Sequence, residues 1–160
     1  MIREVERIRK ALAEHNPPKN FKVRKRASVL IPLLESEGEI FLMLTRRSNE
    51  MRSHPGQVSF PGGKQDSEDE SSMHTALRET HEEIGLSWEK INIIGKLDQI
   101  LSLHYYLVTP YVGLIPSDFE PVPNTDEIES VFKVPLAFFM KSENHWSEEK
   151  KNILIPCYSS

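Results

Sequence analysis

Apolar positions follow two rhythms along the chain. Ile2, Val5, Ile8 and Leu12 recur every three or four residues among Arg, Glu and Lys, which predicts an amphipathic helix ended by Asn16-Pro17-Pro18. Residues 27–34 and 40–44 are continuous apolar runs split by Glu35-Ser36-Glu37-Gly38-Glu39, the pattern of a hairpin of buried strands. Residues 91–97 and 105–115 read as two more strands, with Leu101-Ser102-Leu103-His104 between them as a turn or strand end. Pro116, Pro121 and Pro123 mark 116–125 as a loop. Order resumes at 126–130, a short strand covers 131–134, and Pro135 is placed at N1 of a helix through Met140. A charged loop over 141–151 and an apolar run over 153–158 close the chain. Strands on both sides of a central helix make a mixed α/β domain. No internal repeat or linker divides the chain, so residues 1–160 read as one domain.

The central helix lies in the stretch 60–86. Pro61-Gly62-Gly63 predicts a tight turn before it. Asp69 to Ser72 offer N-caps, and Gly85 followed by apolar Leu86 predicts the C-terminal stop. At about 100° per residue, Met73, Leu77, Thr80 and Ile84 form one stripe expected to face the core. Glu79, Glu82 and Glu83 cluster on an adjoining face, with Arg78 one turn before Glu82. No Lys or Arg stands four residues after any of the three glutamates, and Glu79 and Glu83 repel as an i,i+4 pair. Two readings stand: a solvated acidic face, or carboxylates that await a hard cation such as Mg²⁺ or Mn²⁺.

Charge and composition narrow the choice. The formal charge of −4 favours neither nucleic acid nor an anionic membrane. No apolar run approaches the roughly 20 residues of a membrane span, and Met1-Ile2-Arg3-Glu4 opens a charged segment unlike a secretory signal. The single Cys157 permits no internal disulfide and reads as a small apolar residue. Lys22, Arg24, Lys25 and Arg26 form a basic cluster, read as the solvated start of a strand or as a phosphate contact. Arg47 and Arg52 precede the glycines in a polar segment, and their planar forks suit phosphate as well as a soluble surface.

The order Gly63…Arg78-Glu79-Thr80-His81-Glu82-Glu83-Ile84-Gly85-Leu86 resembles the Nudix box, G-x5-E-x7-R-E-U-x-E-E-x-G-U with U apolar. Two positions depart from it. Six residues separate Gly63 from Glu70, so either Glu70 or Asp69 fills the first acidic slot and pairs with Arg78. Thr80 stands where an apolar residue is usual. Leu44-Thr45, Arg47-Ser48, Arg52, Pro55-Gly56 and Phe60-Pro61-Gly62-Gly63 are similar to the extra motif of the coenzyme A diphosphatase branch of Nudix hydrolases. Residues 109–115 and 131–136 resemble that branch's later strands, notably in its peroxisomal members.

The resemblance implies an α/β/α sandwich with a mixed sheet between helices. It also implies hydrolysis of the diphosphate of coenzyme A and its thioesters to 3′,5′-ADP and 4′-phosphopantetheine or its acyl form, with Mg²⁺ or Mn²⁺ as cofactor. Glu79, Glu82 and Glu83 are then the metal ligands, joined by the Gly63 carbonyl, and Glu83 or Glu79 positions or deprotonates the attacking water. Arg78 orients a carboxylate. Glu127 is the outside candidate for a ligand or base, against the plainer reading of a surface glutamate. Arg47, Arg52, Gly62 and Gly63 are the candidates for substrate contact, and His54 reads as a structural turn residue. No nucleic acid or membrane partner is expected beside this small molecule, and the chain is read as a monomer or homodimer. Members usually continue past this chain's end, which suggests a truncated or reduced domain. The compartment is intracellular, peroxisomal by resemblance or cytoplasmic, although Cys157-Tyr158-Ser159-Ser160 is no peroxisomal address. Two other functions compete: a Nudix pyrophosphatase for another nucleoside diphosphate, such as ADP-ribose or a dinucleotide, and a non-catalytic binding module.

Overall fold

The computed structural model describes residues 2–14, 25–102 and 105–141. Within them the elements run α1 (Ile2–Glu14), β1 (Arg26–Ser36), β2 (Glu39–Arg47), β3 (Val58–Ser59), β4 (Gly62–Lys64), α2 (Ser72–Ile84), β5 (Asn92–Lys96), β6 (Ile100–Leu101), β7 (Leu107–Leu114), β8 (Ile128–Pro135) and α3 (Leu136–Met140). The expectations for Asn16-Pro17-Pro18, Lys22, Arg24, Leu103-His104, residues 142–151, the 153–158 run and Cys157 lie outside the described residues.

One mixed sheet carries the fold, with strand order β3-β2-β1-β7-β5, β4 on β1, β6 on β7 and β8 on β2. β1 and β7 pair in parallel from Arg26↔Leu107 to Leu33↔Leu114, and the other pairings are antiparallel. Both strands of the parallel pair are buried over most of their length, which explains their unbroken apolar runs. The β1–β2 hairpin closes at Ser36↔Glu39 over a two-residue turn. Glu37 and Gly38 both take positive φ there, 52° and 79°, as a turn matched to the strand twist requires.

Alternation along β1 divides the core. Val29 and Leu33 pack on one side with Leu42, Leu44, Val108 and Val112, under Val5, Ile8 and Leu12 of α1 and Leu136 and Phe139 of α3. Leu30 and Leu34 point the other way, toward Ala76 and Ile84 of α2. The sheet is thus sandwiched between α1 with α3 and α2, the α/β/α arrangement expected.

The bounds of α2 follow its caps. Ser71 is extended and its side chain accepts from the His74 N–H, while Gly85 takes the left-handed conformation and donates to His81 O. The buried stripe differs from the expected one: Thr75, Ala76, Thr80, Glu83 and Ile84 face the sheet, and Met73 is 38% exposed. The helix is rotated so that Ala76 meets Leu30 and Tyr111, because a small residue lets α2 approach β1 closely. Pro135 is also displaced from its expected place. It ends β8 and caps α3 instead of occupying the first helical position.

Candidate active site

The carboxylates of α2 lie over β4, and the two glycines of that strand make the contact possible. Gly62 and Gly63 do not form the expected turn. They pair with Val29 and Ser28 of β1, and neither has positive φ. Their value is lack of bulk. A Cβ on Gly63 would stand 2.5 Å from Glu79 Cδ and 2.7 Å from its Oε2, and one on Gly62 would strike the Ser28 carbonyl. With no side chain in the way, the Gly62 N–H donates to Glu83 Oε2 at 2.8 Å.

Arg78 joins this group to the loop before the helix. Its Nε and Nη2 donate to the two oxygens of Asp69, at 2.8 and 2.9 Å, and Nη2 also reaches Lys64 O at 3.2 Å. Its Nη1 donates to Glu79 Oε1 at 3.0 Å and Glu82 Oε1 at 3.2 Å. Asp69, buried, also accepts from the Asp66 N–H and Thr75 Oγ1. Asp69 therefore fills the acidic slot, and among the described residues exposed Glu70 contributes only its backbone N–H, to His74 Nδ1. The bidentate pair explains the electrostatics of both partners. Hydrogen bonds from Arg78 hold the Asp69 carboxyl well below the usual carboxylate range, and Asp69 in turn raises the Arg78 pKa further. The glutamates are thus not without a cationic partner, since one arginine serves two of them.

Glu83 and Glu79 are shifted the other way. Burial pushes Glu79 up to about 7, with repulsion from Glu82 and Glu127 adding to it and Arg78 opposing. Burial raises Glu83 well above the ordinary carboxylate range, aided by the charges of Glu79 and Glu127 and opposed by the Gly62 N–H and Arg47. Glu127 and Arg47 therefore lie within electrostatic reach of the pair. The backbone puts Glu127 there. Val122 N–H and Asn124 N–H donate to Ile84 O and Glu83 O at the end of α2, and Ser48 N–H donates to Glu127 O.

Arg47, at the end of β2, donates from Nε to Ser53 O at 2.6 Å and from Nη2 to Ser53 Oγ, which folds the 48–57 loop onto it. Arg52 is exposed in that loop. His54 sits at the loop's tight bend with φ of 51°.

The donor set suits a hard divalent cation. Among the described residues, Glu79 Oε2 and Glu83 Oε1 accept no hydrogen bond, and with Glu127 they concentrate negative charge beside bare glycine backbone. A cation there would relieve the repulsion that raises Glu79 and Glu83. Among the described residues no three His, Cys, Asp or Glu side chains already stand close enough to hold an ion. Arg78 holds one oxygen of Glu79 and one of half-exposed Glu82, which leaves the other oxygen of each for a cation once the side chains draw together.

Two contributors were invisible in the sequence. The Gly62 N–H that holds Glu83 and the Asn124 N–H that caps Glu83 O both arise from chain segments far apart in sequence. The register of β4 on β1 and the course of the 121–127 loop place them, and neither carries a local signature.

The NUDIX domain family matches residues 24–153. Over 137 residues the chain is 42% identical to "Nudix hydrolase 15, mitochondrial" of Arabidopsis thaliana, an alignment that covers 84% of this chain and 48% of that protein. Over 122 residues it is 40% identical to "Peroxisomal coenzyme A diphosphatase NUDT7" of Mus musculus, covering 76% of this chain and 52% of that protein. The chain spans about half the length of these curated relatives. In fold it is similar to a C. elegans Ap4A hydrolase solved as a binary complex, with a TM-score of 0.64 at 18% identity, over 80% of this chain and 92% of that one. Among the described residues no helix is long and apolar enough to cross a membrane.

Proposed function

The chain belongs to the NUDIX domain family, and from that premise we propose that it is a Mg²⁺- or Mn²⁺-dependent diphosphatase acting on coenzyme A and its thioesters. Water adds to one phosphorus of the diphosphate and the P–O–P bridge breaks, giving 3′,5′-ADP and 4′-phosphopantetheine or its acyl form. The observation that carries the reading is the packing of Glu79 against Gly63 beside buried Glu83, with Glu127 near enough to repel both, a group of carboxylates that a divalent cation would neutralise. The choice of substrate is supported by the likeness to the mouse protein, whose name is that of a coenzyme A diphosphatase.

Each residue has a role on this account. Glu79, Glu82 and Glu83 would hold the cation, with Gly63 lending its carbonyl. When bound there, the cation supplies neutralisation of charge on the phosphate oxygens. Glu79 or Glu83 orients the attacking water and accepts its proton. Glu127 keeps those two carboxylates basic through its charge. Arg78 positions Glu79 and Glu82, anchored by Asp69. Arg47 and Arg52 are assigned to the phosphates of the substrate, including the 3′-phosphate. The compartment expected from the relatives' names is an organelle, peroxisomal as for the mouse protein or mitochondrial as for the Arabidopsis one.

The test is a panel of coenzyme A, acetyl-coenzyme A, ADP-ribose and a dinucleoside polyphosphate, each with Mg²⁺ and with EDTA, with products identified by mass. Release of 3′,5′-ADP from coenzyme A only with Mg²⁺ is expected. Cleavage of ADP-ribose far faster than coenzyme A would overturn the substrate assignment.

A further inference from the structure

Ser28 is wholly buried in β1, and its Oγ has no hydrogen-bond partner. That is unusual on this face of the sheet. Among the described residues the buried threonines are all engaged, on the sheet and on α2: Thr45 Oγ1 donates to Ser59 O, Thr75 Oγ1 to Asp69 Oδ2 and Thr80 Oγ1 to Ala76 O, and Thr109 Oγ1 accepts from Gln99 Nε2. A buried hydroxyl left without an acceptor is costly, so its surroundings reward attention.

The register supplies them. Ser28 pairs with Gly63, and alternation along β1 sends Ser28, like Leu30, toward α2. Opposed side chains of an antiparallel pair stand roughly 5 Å apart at Cβ. On the Gly63 side that place is taken by the Glu79 carboxylate, whose Oε2 lies 2.7 Å from where a Cβ would be. Arg78 occupies Oε1 of that carboxylate and nothing among the described residues donates to Oε2. A donor without an acceptor thus stands opposite Gly63 in the register, and an acceptor without a donor lies against Gly63 on the same face.

We propose that Ser28 is a positioning residue of the carboxylate centre, its hydroxyl donating to Glu79 Oε2 directly after rotation about χ1 or through one water. The role rests on the centre described under Proposed function. A carboxylate oxygen has two lone pairs, so the bond leaves Oε2 able to ligate a cation while fixing the plane of the group. Ser28 then does from the sheet what Arg78 does from the helix.

The test is Mn²⁺ uptake by the whole chain, followed by the electron spin resonance of the free ion, with thermal melting in EDTA beside it. Ser28→Ala is expected to raise the Mn²⁺ dissociation constant about tenfold, the scale of one hydrogen bond to a charged group. Its melting temperature without metal should be unchanged or higher, because in the metal-free chain that hydroxyl has no partner. Thr109→Val, which deletes a hydroxyl in register beside Ser28 on the same face, should leave the constant as in the wild type. Equal affinity in Ser28→Ala and wild type, or equal weakening in both variants, overturns the role. A wild-type chain that takes up no Mn²⁺ overturns the centre itself.

Discussion

Asp69 holds Arg78 through two parallel hydrogen bonds, Nε to Oδ1 at 2.8 Å and Nη2 to Oδ2 at 2.9 Å. The loop before α2 thereby fixes the arginine that spans Glu79 and Glu82. Removing Asp69 takes the bidentate partner from Arg78 and leaves it, among carboxylates, the single bonds to Glu79 and Glu82. Asp69→Ala should cost about 2–3 kcal/mol, below the 3–5 of a fully buried pair because Arg78 is partly exposed. Glu70→Ala should change neither stability nor turnover. Urea titration of the two variants checks this, and equal losses in both would mean that the acidic slot is shared.

That result bears on what the sequence could reveal. Spacing alone left Asp69 and Glu70 as rivals, because either carboxylate could reach Arg78 from a loop of unknown path. The ends of α2 were legible, since Ser71 and Gly85 act through neighbours within four residues. The paired glycines were not. Pro61-Gly62-Gly63 carries the signature of a turn, and only the proximity of Ser28 and Glu79 shows that the glycines serve a close approach in a strand. Met73 was misplaced for a related reason: the helix wheel gives an apolar stripe but not the sheet it must fit, and Ala76 decided the rotation. The nearness of Glu127 to Glu79 and Glu83 follows from loop hydrogen bonds that no local pattern encodes.

Gly63→Ala tests the close approach itself. The added methyl meets Glu79 Cδ at 2.5 Å, so the carboxylate or β4 must move. Overpacking of this kind costs about 1–3 kcal/mol, and a displacement near 1 Å at a reacting centre costs on the order of 100-fold in rate. Gly38→Ala is the control. It lies in the hairpin turn with open space around it and φ of 79°, so it should lose about 1 kcal/mol of stability and no turnover. Melting curves and kcat for the two variants separate the effects.

The pH dependence of the metal-free chain has a definite sign. Glu79 is raised from 4.5 to about 7, and Glu83 is raised as well. An acid whose folded pKa is raised favours folding neutral, so it costs nothing below pH 4.5 when both states are protonated. The penalty grows as pH climbs toward 7 and the unfolded chain alone is ionised, and it levels off above the folded pKa. Melting temperature in EDTA should therefore fall from pH 5 to pH 7. Mg²⁺ should reverse most of that fall, because ligation needs the ionised carboxylates. Glu127→Gln removes one repelling charge and should lower the Glu79 pKa, read by carbon-13 NMR of the carboxyl group. A metal-free melting temperature that rises over this range contradicts the assignment.

Glu82→Gln gives the most direct test. Its side chain is half exposed and, among the described residues, its one hydrogen bond is the 3.2 Å bond to Arg78, so the amide should leave the fold intact. The measurement is the rate of 3′,5′-ADP formation from coenzyme A with saturating Mg²⁺, in wild type and variant of equal melting temperature. The carboxylate centre predicts a loss beyond the roughly 10- to 100-fold that follows removal of an outer partner. Turnover equal to wild type would contradict it.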